Sequence, residues 1–337
     1  TFLVRSGILN SIHTFANDPQ RGIFILIYLF LLVSLALFIY FIYFENEKKK
    51  EEGIFLINKE TSILINNWFM MYFLAVVLVG TIYPIFLEVI SNEKISIGPP
   101  FYHKLLIPFL VLFIIIMILE TKLKWIKTDT KKIKKNGLIS FILLAIFCLI
   151  LIEYLGSNLI IASILLASAF LLIVLTILDI IKNKIFISQK ISHFGFSLLI
   201  LSILLNNIYS KEISSNMKVG EEINFIDKKI KFLSLKATEK KNFKSITGKF
   251  QIIDEKNRIK FFYPEIRIYN QPNIVTSEAD IVTNIFTDNF LVFNIINDDE
   301  FFNVRYQYKP FMFLIWISTM LIAIGGMYSL YNRTYEK

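Results

Sequence analysis

The feature that most constrains this chain is the recurrence of long apolar blocks, at 22–44, 62–90, 105–119, 138–155, 158–181, 191–209 and 311–331. A helix rising about 1.5 Å per residue needs roughly 20 residues to cross the hydrocarbon of a bilayer. Blocks of this length predict membrane spans, the third being the shortest at 15 residues. Asp18 followed by Pro19 supplies an N-cap and a pre-set first turn for the first span. Composition agrees, with 55% apolar residues, 19% charged and a mean hydropathy of +0.58, where a soluble domain carries about 25% charged residues. Collagen, coiled-coil and wholly disordered folds are excluded.

Basic residues set the orientation, because cytoplasmic loops retain Lys and Arg. With the N-terminus outside, the short inside segments carry 16 of them and the outside segments only Arg5, Arg21, Lys94 and Lys104. The same count places the hydrophilic stretch 210–309 outside. There Ile266 and Ile268 alternate with Glu265 and Arg267, and Val304, Tyr306 and Tyr308 with Asn303, Arg305 and Gln307, a period of two that reads as strands. The expected fold is a polytopic α-helical membrane protein of about seven transmembrane helices with one inserted extracytoplasmic β-rich domain, a sandwich or small barrel. Its parts are an extracytoplasmic interfacial segment 1–21, a six-helix region 22–209, the β-rich domain 210–309, and a final helix with a cytoplasmic tail, 310–337. The net charge of +9 marks the cytoplasmic side of a membrane protein bound to lipid; it does not point to nucleic acid. The chain opens at Thr1 without a signal peptide and reads as the later part of a longer protein.

Few residues can carry chemistry. Cys148 is the single cysteine, which excludes a disulfide framework or a thiolate metal site. No phosphate loop, hydrolase triad or paired catalytic carboxylates are readable. His193 is the third residue of the sixth block and falls in the inner leaflet. An imidazole at that depth either hydrogen-bonds a neighbouring helix or ligates a metal such as haem iron. Gly195 lies about 200° around the helix from it and suits close helix packing. His13 shares an apolar helical face with Leu9, Ile12 and Ala16, and reads as an interfacial polar contact or a metal ligand. Arg5 either snorkels or pairs with an anion such as a haem propionate. His103 follows Gly98-Pro99-Pro100, a rigid outside turn placing Phe101 and Tyr102 at the interface. Glu153 and Asp179 near span ends fit solvated headgroup positions or a proton path, and Asn66 and Asn67 interhelical hydrogen bonds.

Six segments, TFLVRSGILNSIHTFANDPQRG, ETSILINNWF, GTIYPIFLEVISNEKISIGPPFY, SHFGF, PEIRIY and YKPF, resemble in this order the C-terminal half of CcmF, from Thr1 to about Arg333. That family is the haem lyase subunit of the type I system for cytochrome c maturation. The resemblance implies a haem b within the membrane, with His193 as an axial ligand to its iron. It implies a second haem, delivered by a haem chaperone to the outer face, with His13 as its axial ligand; Arg5 is the further candidate to bind haem, on its own chemistry. It further implies attachment of that haem to the CxxCH cysteines of an apocytochrome, with CcmE as the chaperone, apocytochrome c as acceptor and the thiol-reducing subunit CcmH as partner. The implied location is the bacterial inner membrane, or the mitochondrial one, with 210–309 periplasmic and the C-terminus cytoplasmic.

The departures are a missing tryptophan-rich motif, since the tryptophans are Trp68, Trp125 and Trp316, and the missing partner histidine of each haem. The expectation is a fragment or one of two split chains, inactive alone. Two other functions remain open. One is a haem transporter without covalent chemistry. The other is a non-catalytic scaffold docking partners through Glu265, Arg267, Tyr269 and Tyr306.

Overall fold

The computed structural model describes residues 19–43, 57–91, 95, 97–120, 123–125, 130–182, 187–255, 257–270, 274–296 and 301–335. Seven helices in it are long and apolar enough to cross a membrane. They are α1 (Pro19–Tyr43), α2 (Lys59–Ser91), α3 (Pro99–Glu120), α4 (Thr130–Leu155), α5 (Ile160–Lys182), α6 (Ile187–Tyr209) and α7 (Met312–Tyr335). Among the described residues ten strands lie between α6 and α7. The chain divides into two compact units, Thr1–Ile146 and Phe147–Lys337, the division falling within α4.

In the first unit α2 and α3 pack through an aromatic cluster. Phe69, Phe73, Phe109 and Phe113 meet edge-on or tilted, and the Tyr72 ring lies 4.2 Å from that of Phe109. The Tyr72 hydroxyl donates to the Leu105 carbonyl at 3.1 Å. The expected turn at 98–100 is a helix start instead. Pro99 and Pro100 form the first turn of α3, where a missing N–H costs nothing, and the Phe101 amide donates to the Gly98 carbonyl at 3.2 Å. The third span therefore has 22 residues, not 15. Phe101 and Tyr102 pack onto Gly80 of α2, where a Cβ would come within 2.8 Å of the Tyr102 hydroxyl.

In the second unit the strands β1 (Lys211–Met217), β2 (Glu222–Phe225), β3 (Lys228–Glu239), β4 (Phe243–Asp254), β5 (Ile259–Phe262), β6 (Glu265–Tyr269), β7 (Ile274–Glu278), β8 (Asp280–Thr283), β9 (Thr287–Ile295) and β10 (Phe302–Pro310) form two antiparallel sheets. One runs β1-β10-β9-β8. The other runs β2-β3-β4-β6-β7, with β5 also on β4. Pro264 separates β5 from β6, so that the two pair with different stretches of β4.

The alternation expected in β6 and β10 is present: Ile266, Val304 and Tyr306 point into the core. Phe232 stacks on Phe250 at 4.2 Å between ring centroids, with Phe293 edge-on to both. Gly248 leaves room for these rings, since a Cβ there would lie 2.7 Å from Phe250 Cε2 and 3.2 Å from Phe293. Gly248→Ala is expected to destabilise the sandwich by about 1–3 kcal/mol, the cost of overpacking a filled core, read as a lowered thermal midpoint of the full-length protein in detergent.

Candidate functional site

α6 and α7 lie antiparallel and approach through small residues. A Cβ at Gly195 of α6 would lie 2.9 Å from the Ser318 carbonyl oxygen and 3.0 Å from the Ile322 amide nitrogen of α7. A Cβ at Gly325 of α7 would lie 2.8 Å from the Ser188 carbonyl oxygen and the Ser192 nitrogen of α6. Each glycine thus packs on the other's helix, and the two contacts lie about one and a half turns apart. Ser318 in this contact needs no cross-helix partner, because its Oγ donates to the Ile315 carbonyl at 2.7 Å; Ser197, on the His193 side of α6, donates to the His193 carbonyl at 2.9 Å.

His193 is the seventh residue of α6, about 9 Å along it at 1.5 Å per residue, and is half-buried. Gly195 and Ser192 fix which face of α6 meets α7, and His193 stands about 200° from Gly195. The imidazole therefore projects away from the close contact, as the spacing of SHFGF requires. Lys190, one turn earlier on the same face, reaches α5, its Nζ 3.1 Å from Asp179 Oδ2 and 3.1 Å from the Asp179 carbonyl. Asp179 is thus held in a partly buried ion pair between α5 and α6, not as a free proton carrier. A half-buried imidazole on a helix face not used for glycine packing could supply a nitrogen to a haem iron.

The other candidates are distributed differently. His13 and Arg5 lie outside the described residues. His103 is exposed on α3 and Glu153 exposed on α4. Asn66 was expected to bond a neighbouring helix. Among the described residues its buried Oδ1 has no hydrogen-bond partner, and Asn67 is exposed. On the sandwich, Glu265 and Arg267 pair at 2.9 Å and Arg267 stacks over Phe243. Tyr306 does not belong to an interface: it is 1% exposed, because its place on β10 is inward.

The structure adds a polar site that no motif announced. Lys228 of β3 donates to Asn289 Oδ1 at 3.2 Å and to the Tyr306 hydroxyl at 2.8 Å, and that hydroxyl donates to Asn289 Oδ1 at 2.6 Å. These groups line a cleft of about 240 Å³ together with Asp254, Arg258, Lys260, Asn284, Thr287 and Tyr308. Its residues come from β3, β4, β5, β9 and β10 and from the turns between strands. The nearest sequence signal was Tyr306 itself, an apolar-face position with a hydroxyl to satisfy.

Comparison with known proteins follows the same division. Residues 208–310 match the family model described as the CcmF C-terminal beta-sandwich. Among curated relatives, the cytochrome c-type biogenesis protein CcmF of Pseudomonas fluorescens is 30% identical over 353 residues, covering 99% of this chain and 53% of that protein. CcmF of Escherichia coli K12 is 27% identical over 346 residues, covering 100% and 53%. The solved structure of a cytochrome c heme lyase CcmF superposes with a TM-score of 0.65 at 19% identity, over 82% of this chain and 46% of that one, a likeness of fold. The chain spans about half the length of the curated relatives it matches. Over its whole length it is similar to CcmF, and residues 208–310 match the model of that family's C-terminal β-sandwich.

Proposed function

We propose that a chain built as one half of a CcmF, C-terminal sandwich included, acts in cytochrome c-type biogenesis as the C-terminal part of a haem lyase. The observation that carries this reading is the likeness to CcmF along 99% of the chain, sandwich and helices together. In the proposed arrangement the inner membrane of a bacterium holds the seven helices, with 1–21 and 210–309 periplasmic and the C-terminus cytoplasmic. His193 offers an imidazole nitrogen to a haem b inside the membrane, and the α6–α7 contact holds the helix that carries it. His13 and Arg5 receive the haem that CcmE delivers to the outer face, the imidazole toward iron and the guanidinium toward a propionate. Haem supplies the vinyl groups that become thioethers. The chain's own residues orient it, without side-chain acid or base chemistry. Apocytochrome c is the acceptor, presented by CcmH. The second axial ligands belong to the other half of the protein.

The test joins this chain with the remaining half of a CcmF in one membrane and supplies apocytochrome c and haem-loaded chaperone. Cytochrome whose haem survives denaturing electrophoresis is expected, with none when this chain is withheld. Haem that gathers at the outer face with no covalent product would overturn the lyase reading and leave transport.

A further inference from the structure

The cleft around Lys228 has an unbalanced charge. Arg258 is spent on Asp254, its Nη2 2.7 Å from Oδ2. Among the described residues neither Lys228 nor Lys260 has a carboxylate within ion-pairing distance. Lys228 bonds only to the neutral Asn289 and Tyr306, and Lys260 Nζ only to Asn284 Oδ1, at 3.4 Å. Burial, and next the charge of Lys260, hold the Lys228 ammonium below its usual range. Asp254, opposite Lys228 on the facing strand, and Asp227 act on that ammonium at longer range, but Asp254 is already bound by Arg258, so the cleft keeps a net positive charge that an entering anion offsets. Asn284, Thr287 and Tyr308 add neutral polar groups suited to phosphate oxygens.

The position of the cleft in the fold points to the source of that anion. Tyr308 is two residues before Pro310, where β10 ends, and α7 begins at Met312. At about 3.3 Å per extended residue the four steps from Tyr308 to Met312 span at most about 13 Å, which keeps the cleft close to the end of α7, where that helix would leave the membrane. The junction is fixed on both sides. Asn206 of α6 donates through Nδ2 to the Pro310 carbonyl at 2.5 Å, and the Phe311 amide donates to the Phe286 carbonyl at 2.8 Å. Phe311 itself turns the chain with φ 64°. The β8–β9 hairpin tip is therefore tied to the start of α7, and it carries Ile285 and Phe286, 68% and 74% exposed. The residues flanking this apolar tip, Asn284 and Thr287, are cleft residues. In water two such side chains at a loop tip gain nothing; at a membrane surface they bury in the acyl boundary.

We propose that the cleft holds the phosphate of an anionic phospholipid headgroup, with Lys228 and Lys260 as its cations and Ile285 and Phe286 inserted beside it. The lipid thereby fastens the sandwich to the membrane face from which α6 and α7 emerge. This rests on α6 and α7 crossing the membrane, which incorporation of the chain into nanodiscs of phosphatidylcholine alone tests separately.

The full chain in nanodiscs of phosphatidylcholine with graded phosphatidylglycerol is re-extracted, and its retained lipid read by native mass spectrometry. Phosphatidylglycerol is expected to be retained over phosphatidylcholine. Lys260→Gln and Lys228→Gln should each weaken retention by about tenfold, the weight of one hydrogen bond to a charged group. Phe286→Ser should weaken it with no change of charge. Among the described residues the one hydrogen bond of Lys260 Nζ is to Asn284, so its variant keeps the buried network and the wild-type thermal midpoint. Equal retention of the two lipids, or retention unchanged in a stably folded Lys260→Gln protein, overturns the proposal. Displacement of phosphatidylglycerol by millimolar inorganic phosphate assigns the cleft to a soluble anion and overturns the lipid as well.

Discussion

His193→Ala is expected to abolish the reduced haem b spectrum of this chain assembled with the other half of a CcmF, while the protein still accumulates in the membrane. The size of the effect follows from the ligation. Imidazole bound to haem iron is one of two axial bonds that hold a haem in six-coordinate form, and a methyl group offers no lone pair. The protein itself should survive the change. His193 projects away from the Gly195 face, which carries the α6–α7 contact, and its backbone carbonyl remains to accept from Ser197 Oγ. His193→Met separates ligation from packing, because a thioether can still bind iron. Haem retained with a shifted spectrum in the Met protein, and lost in the Ala protein, is the expected pattern. An unaltered spectrum in the Ala protein would remove His193 from the site. An equal loss in both, with a lowered thermal midpoint, would make the histidine a packing residue of α6.

The helical scaffold was largely legible because spans are written locally. Each of the seven apolar blocks became a helix, and their ends moved for physical reasons. α2 begins at Lys59 because Asn58 Oδ1 accepts from the Thr61 amide at 2.7 Å, a cap that apolarity does not register. α4 begins at Thr130, eight residues before its apolar block, because Lys-rich sequence favours helix whether or not it is buried. α3 gained a turn from prolines that read as a loop by their usual turn chemistry. Gly195 was readable as a contact residue from its angle to His193 alone.

The sandwich was legible in its alternation but not in its site. Lys228, Lys260, Asn289 and Tyr306 are brought together by β3-β4-β5 pairing in one sheet and β10-β9 pairing in the other. No short-range spacing encodes a meeting of residues 61 and 78 positions apart. Tyr306 was misassigned to an interface for the same reason. Alternation gives the two faces of a strand, but which face is inward depends on the opposite sheet. The Asp179–Lys190 pair was not legible because the two residues lie on different helices.

The second large effect concerns the glycines that set the distance between α6 and α7. Gly195→Leu and Gly325→Leu are each expected to prevent α6 and α7 from docking, with loss of haem and of most folded protein. The smaller Gly→Ala changes should cost about 1–3 kcal/mol each. The atoms that a new Cβ meets are mainly backbone: Ser318 O and Ile322 N for residue 195, Ser188 O and Ser192 N for residue 325. A rotamer change cannot relieve such a contact, so the helix axes must separate. In a bilayer nothing compensates, because lipid tails are as apolar as the surfaces released and close packing is the source of helix association. The two Ala changes should be sub-additive, since a separation forced at one glycine also opens the other along the same pair of axes. The α6–α7 pair also carries both ends of the sandwich insertion, through the Asn206–Pro310 bond. Spreading it therefore moves His193 and the lipid-facing hairpin together. The check is the thermal midpoint and haem content of both single Ala variants and the double variant. Additive losses would show that the two glycines act at independent contacts, and undisturbed haem in the double variant would uncouple helix spacing from the site.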